Sequence, residues 1–203
     1  MFLHGTSIEY CPSADNQGIG GHIEEEPMKK VEAIVRHFKL EDIKNALAER
    51  GVLDDTLIFI CGDHGEEFGE RGFVGHGISY TSFQCQSMMV AHIPGQTPRR
   101  VQRMTSHVDV VPTIFTYFGV ENPSNDFSHG VPLTDELGPT ETVVAGWNDA
   151  ALVTANGTVV FGTAAGNFDV AVFDQRYRPV AGGIAGHQEA LTRTLLRLRE
   201  FTR

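Results

Sequence analysis

Asp63, His64 and His76 are the residues of this chain whose types and spacing best suit chemistry on a metal ion. They lie in the stretch Thr-Leu-Ile-Phe-Ile-Cys-Gly-Asp-His-Gly-Glu-Glu-Phe-Gly-Glu-Arg-Gly-Phe-Val-Gly-His-Gly, residues 56–77. A carboxylate beside an imidazole offers oxygen and nitrogen donors that suit a divalent ion such as zinc or manganese. His76 sits between Gly75 and Gly77, in a loop able to approach a ligand closely. An isolated Asp-His pair also occurs in turns and helix caps, so position carries the argument. The apolar run Leu57 to Cys61 reads as a buried strand that stops at Gly62. Asp63 and His64 therefore fall at a strand's C-terminal end, the edge of an α/β sheet where loops converge on a ligand crevice.

The elements that must position this stretch follow from pattern. Pro27, with Glu24 to Glu26 ahead of it, suits the first turn of a helix whose apolar positions run from Val31 to Leu47 and which stops at Gly51. Met1 to Gly5 reads as a short strand and residues 8–21 as loop, with His4 and His22 at loop edges. Met88 to Ile93 is a second core strand, and a helix followed by strand, site loop and strand predicts parallel pairing. Asp109 is placed to cap a helix that contains Pro112, buries Ile114, Phe115 and Phe118, and ends at Gly119. His37, His92 and His107 read as surface, structural and capping-segment histidines. Residues 121–139 read as an extended surface connection.

Beyond it, Thr142 to Trp147, Ala151 to Phe161 with a turn at Asn156-Gly157, and Val170 to Phe173 predict a small antiparallel sheet. Gln188 to Phe201 is an amphipathic helix with Leu191, Leu195 and Leu198 on the face that docks on the sheet.

The chain has 203 residues and a net charge of −10, enough length for a real core and the wrong sign for phosphate-backbone binding, so nucleic acid is not an expected partner. Its three cysteines, Cys11, Cys61 and Cys85, are widely spaced and predict no disulfide framework. Cys61 is expected to be a small buried residue. No apolar run approaches the ~18–20 residues that cross a bilayer, so no transmembrane segment is expected in this chain.

Asp54-Asp55-Thr56, Gly62-Asp63-His64-Gly65-Glu66-Glu67, Gly72, Gly75-His76-Gly77, Pro94-Gly95 and Ser106-His107-Val108-Asp109-Val110-Val111-Pro112-Thr113 together resemble the sulfatase branch of the alkaline phosphatase superfamily. The order and spacing match over roughly residues 40–120. Within the branch the chain resembles sulfatase-like inner-membrane lipid enzymes and lipopolysaccharide regulators, a likeness favoured by Asn122-Pro123-Ser124 and Gly130.

The resemblance implies an α/β fold: part of a three-layer alkaline-phosphatase-like sheet with flanking helices, plus a small C-terminal antiparallel β region. Residues 1–120 would be the C-terminal part of the core, and residues 121–203 a connection, small strands and terminal helix on the same core. It also implies metal-assisted transfer of a phosphoryl or sulfuryl group. Asp63 and His64 match the family's metal ligands, and His76 matches the histidine that contacts the substrate's charged group or a second metal. A divalent cofactor is implied, zinc or manganese ahead of calcium or magnesium, because Asp-His stands where many calcium-dependent sulfatases carry Asp-Asn. The implied partner is an anionic ester, lipid-linked in the membrane subgroup, on the extracytoplasmic side of a membrane.

The family's nucleophile, an upstream threonine, serine or modified cysteine, precedes the matched region, and no Thr or Ser here has its strand-to-helix setting. Thr56 precedes its strand and Thr113 lies inside a helix. The expected chain is thus the C-terminal portion of a sulfatase-like hydrolase or transferase, inactive without an N-terminal half carried on the same longer protein or on a partner. In isolation it would expose apolar sheet edge and be poorly soluble or oligomerise. The alternative is a noncatalytic module that senses an anionic lipid or a partner protein.

Overall fold

The computed structural model describes residues 29–35, 39–163 and 169–200. The expected strand at Met1 to Gly5, the helix start at Pro27, and His4, Cys11, His22 and His37 lie outside the described residues. The chain divides into two compact units, Met1–Asp54 and Asp55–Arg203.

In the first unit, helix α1 spans Leu40–Glu49, with Glu41 and Asp42 in its first turn, where carboxylates face the positive end of the helix dipole. It ends in a Schellman motif at Gly51, whose φ of +68° is left-handed. The Gly51 N–H donates to the Ala48 carbonyl at 2.9 Å and the Val52 N–H to the Leu47 carbonyl at 3.1 Å. The predicted stop is therefore correct and the predicted span is too long, because residues 29–35 are not helical. Ile34 is fully exposed and Val31 largely so, and an apolar stripe without a packing partner does not repay helix nucleation.

In the second unit, strand β1 (Ile58–Cys61) pairs with β4 (Met89–His92). The pairing is antiparallel, Ile58 opposite His92 and Cys61 opposite Met89, which corrects the parallel expectation. A parallel return needs a long crossover, usually a helix. The chain between these strands holds only the hairpin β2 (Glu67–Phe68) and β3 (Val74–Gly75) and one helical turn, α2 (Ser82–Cys85). β1 is half-buried rather than buried, and Cys61 at its end is exposed, contrary to expectation.

A 3-10 turn, His107–Asp109, leads into helix α3, Val110–Tyr117. Asp109 stands at the N-cap position of α3, as expected, but its side chain makes no cap hydrogen bond to that helix. Its buried carboxylate reaches back to accept the Ser106 N–H at 3.2 Å, as the acidic member of a capping box does. The same carboxylate accepts the Val131 N–H at 2.9 Å and pairs with buried Arg103 at 3.0 Å. Arg103 also donates to the carbonyls of Val131 and Pro132, so residues 130–133 are drawn inward instead of forming a surface connection. The buried positions of α3 are Pro112 and Thr113, whereas Phe118 is exposed and Phe115 leans on Phe127 at 4.6 Å. Gly119 ends the helix as predicted, with the Val120 N–H on the Phe115 carbonyl at 2.9 Å.

Strands β5 (Glu141–Ala145), β6 (Asp149–Thr154), β7 (Gly157–Gly162) and β8 (Val170–Asp174) form an antiparallel sheet in sequential order. Thr154 pairs with Gly157, so the predicted hairpin turns at Ala155-Asn156. Its core is Ala150, Leu152, Val159, Phe161 and Val172, with Val143 packed against it. Helix α4 (Gln188–Glu200) docks through Ala190 and Leu191, while Leu195 is about half exposed. No helix among the described residues is long and apolar enough to cross a membrane.

Asp109→Ala should lower the unfolding free energy by about 3–5 kcal/mol, because it strands the buried Arg103 guanidinium. Urea melts of parent and variant check this, and a loss below about 1 kcal/mol would show that the pair does not organise residues 103–133.

Candidate active site

The site begins where β1 ends. The Gly62 N–H donates to the Met88 carbonyl at 3.0 Å, while the Gly62 carbonyl accepts from His107 Nε2 at 2.8 Å. His107 thus fixes the strand end from the α3 side. Asp63 follows, largely exposed, and its carboxyl is held below the usual range by its own backbone N–H and then by the neighbouring His64. His64 donates from Nδ1 to the Gly65 carbonyl at 2.7 Å, which leaves Nε2 with its lone pair outward. Gly65 donates to the Gln84 carbonyl at 2.9 Å, and a Cβ there would lie 2.0 Å from the Phe83 carbonyl oxygen, so no larger residue fits.

The two glutamates after Gly65 take opposite roles. Glu67 is fully buried and accepts the Arg71 N–H at 2.8 Å, Thr81 Oγ1 at 3.2 Å and Gln84 Nε2 at 2.9 Å. Gln84 in turn accepts the N–H groups of Ile78 and Ser79, each at 3.1 Å. Glu66 faces the other way and accepts from His76 Nδ1 at 2.9 Å. The imidazoles of His64 and His76 lie with centroids 3.7 Å apart and planes tilted by 30°.

One donor atom each from His64, Glu66 and His76 lies within 4.8 Å of the others. Ligands at about 2.0–2.2 Å from a tetrahedral ion stand roughly 3.4 Å apart, so this nitrogen and oxygen set fits a divalent metal with small side-chain adjustment. The structure brings the sequence candidates His64 and His76 together. Asp63 stands beside them, its carboxylate 3.6 Å from His64 Nε2, but outside the tightest group. His92 is exposed on β4 and not part of the site.

Facing the imidazoles is a pocket of about 320 Å³ whose far wall is the β5–β6 turn, including Val144, Trp147 and Asp149. Tyr80 joins the two walls by donating its hydroxyl to Asp149 Oδ1 at 2.6 Å. Burial, and then that carboxylate, push the Tyr80 phenol above its ordinary range. The Tyr80 N–H donates to the Tyr177 hydroxyl at 2.9 Å, so β8's turn also grips the site loop. Glu66, Tyr80, Trp147 and Asp149 escape the sequence reading. Glu66 carries a signal, lying two residues from His64, whereas the wall residues are distant in sequence and only the fold unites them.

A family model for sulfatases matches residues 38–120. The matched segment belongs to the sulfatase family. Its residues include every group of the imidazole-carboxylate cluster, and the superfamily is that of the alkaline phosphatases. Choline-sulfatase of Rhizobium meliloti is 32% identical over 110 residues, 52% of this chain and 21% of that protein. The multifunctional alkaline phosphatase superfamily protein PehA of Trinickia caryophylli is 35% identical over 80 residues, 38% of this chain and 15% of that protein. The phosphonate monoester hydrolase of Silicibacter pomeroyi superposes with a TM-score of 0.62 at 23% identity, over 82% of this chain and 39% of that one. That likeness establishes the sulfatase and alkaline-phosphatase-like α/β fold beyond the matched segment. The chain spans only about a fifth of the choline-sulfatase. Sulfatase-family enzymes generally use a divalent metal, and the cluster here is of a kind to hold one.

Cys85 lines the same pocket, and burial pushes its thiol up to about 11. Alkylation by iodoacetamide at pH 8 should therefore modify exposed Cys61 well before Cys85, with Cys85 reacting only as the pH nears 11. Peptide mass spectrometry of a Cys11→Ser chain reads the order, and equal rates would mean the pocket is open to solvent.

Proposed function

We propose that this chain is the metal-binding, substrate-receiving portion of a sulfatase-family hydrolase or transferase acting on phosphate or sulfate esters. The observation that carries the reading is the cluster of His64, Glu66 and His76, whose two imidazoles line one pocket, inside the segment that matches the family. His64 offers Nε2 because its Nδ1–H is committed to the Gly65 carbonyl. Asp63 adds an ionised oxygen beside it, and its lowered pKa keeps that oxygen available in mildly acidic solution. Asp63 and His64 would hold the ion with Glu66 at hand, and the ion would supply Lewis-acid stabilisation of charge on the ester oxygens.

His76 has the separate task of meeting the anionic group. Glu66 fixes its ring by accepting Nδ1–H, so that Nε2 points away from the carboxylate toward the substrate's equatorial oxygens. The attacking group is not assigned to any residue of this chain. The imidazole of the Asp63-His64 pair favours a transition metal such as zinc or manganese over calcium, and with it a phosphate ester over a sulfate ester.

Isothermal titration of the 203-residue chain with zinc, manganese and calcium tests the assignment. Zinc should bind more tightly than calcium, and Asp63→Ala, His64→Ala and Glu66→Ala should each weaken zinc binding about tenfold or more. Variants that bind zinc as the parent does would refute the metal site.

A further inference from the structure

We infer that the β5–β6 turn receives the alcohol half of the ester and that Trp147 is its specificity-determining contact, selecting esters of aromatic or otherwise flat, apolar alcohols. The inference rests on the ester-hydrolase reading above and adds the substrate class.

An ester held by its anionic group at His64 and His76 must direct its other half across the pocket, toward Val144, Trp147 and Asp149. At about 320 Å³ the pocket admits a small ring but not an extended chain of sugars. Most polar side chains on the way are already engaged. Gln84 spends its amide on Glu67 and its carbonyl on Ile78 and Ser79. The Ser79 hydroxyl donates to Thr81, and the Tyr80 hydroxyl to Asp149. A hydroxyl-rich alcohol would surrender its bonds to water and find few replacements.

What the wall does offer is apolar: Ile78, Val144 and the indole of Trp147. Trp147 is 96% exposed, an apolar surface left wet at the mouth of a pocket. It is not presented on a loose loop. The Gly146 N–H donates to the Asp149 carbonyl at 2.8 Å, and the flanking pair Ala145 and Ala150 belongs to the sheet register. A flat ring laid on an indole carried by an ordered backbone gains dispersion and apolar burial.

Trp147 is the chain's one tryptophan, so its emission reports directly on this wall. Zinc-loaded parent chain is titrated with phenylphosphonate, methylphosphonate, phenol and tetramethylammonium, followed by emission and by calorimetry, with Trp147→Ala and Trp147→Phe in parallel calorimetry. Phenylphosphonate should bind about tenfold or more tightly than methylphosphonate, Trp147→Ala should erase that preference, and Trp147→Phe should restore most of it. Phenol alone should shift the emission saturably. Equal affinity of the two phosphonates for parent chain, or an undiminished preference in Trp147→Ala, overturns the inference while leaving the ester-hydrolase reading intact. Saturable phenol binding with neither phosphonate bound would sink the hydrolase reading and keep the aromatic wall. A response to tetramethylammonium at lower concentration than to phenol would overturn the aromatic-alcohol class in favour of a cation.

Discussion

The buried carboxylate of Glu67 is the constraint on which the site depends. It gathers a backbone N–H, a hydroxyl and an amide from three separate points of the loop, and Gln84 relays the same hold to Ile78 and Ser79. Stripping an acceptor from a fully buried network leaves its donors unsatisfied, at a cost of about 1–3 kcal/mol for each. Its consequence for chemistry lies one residue away. Adjacent residues of an extended chain face opposite sides, so fixing Glu67 inward turns Glu66 outward onto His76. A two-strand hairpin of minimal length would not hold an imidazole in place unaided. Here the geometry of His76 is set from beneath.

The C-terminal sheet completes what that network begins. Tyr80 is held at both ends, its N–H by the Tyr177 hydroxyl and its own hydroxyl by Asp149. Tyr177 occupies a left-handed backbone conformation with φ of +56°, which costs a non-glycine residue of the order of 1–3 kcal/mol. Stacking on Phe173 at 4.3 Å and the Asp174 carboxylate's grip on the Arg178 side chain and N–H offset that strain. The sheet is therefore a wall of the pocket and not an appendage to it.

How much of this the sequence discloses depends on the range of the interaction. The strand at Ile58–Cys61, the C-terminal meander and the glycine stops at Gly51 and Gly119 are legible because they rest on local pattern and backbone sterics. His64 and His76 are legible as a pair because the motif brings them close in sequence. Strand direction is not, since antiparallel pairing of β1 with β4 follows from the absence of a crossover helix, and the one-turn α2 gives little periodic signal. Asp109 reads as a helix cap, yet its carboxylate is claimed by Arg103 and Val131 from further along the chain. Tyr80, Trp147 and Asp149 carry no motif at all. Their meeting depends on a contact between residues 69 positions apart, which only the folded sheet creates.

The charge balance of the pocket gives an independent reason to expect a cation in it. Asp63, Glu66 and Asp149 border or flank the space an anionic ester would enter, and no lysine or arginine lines it among the described residues. In a chain of net charge −10, that arrangement would repel the anionic group that the proposed reading brings to His76. Like charges repel, and no side chain with a fixed positive charge lines the pocket among the described residues to offset them. A divalent ion held by Asp63, His64 and Glu66 would reverse the sign of the local field, and the same carboxylates would then be the means of holding an anion. On the proposed reading the carboxylates serve an anion site as ligands of the ion.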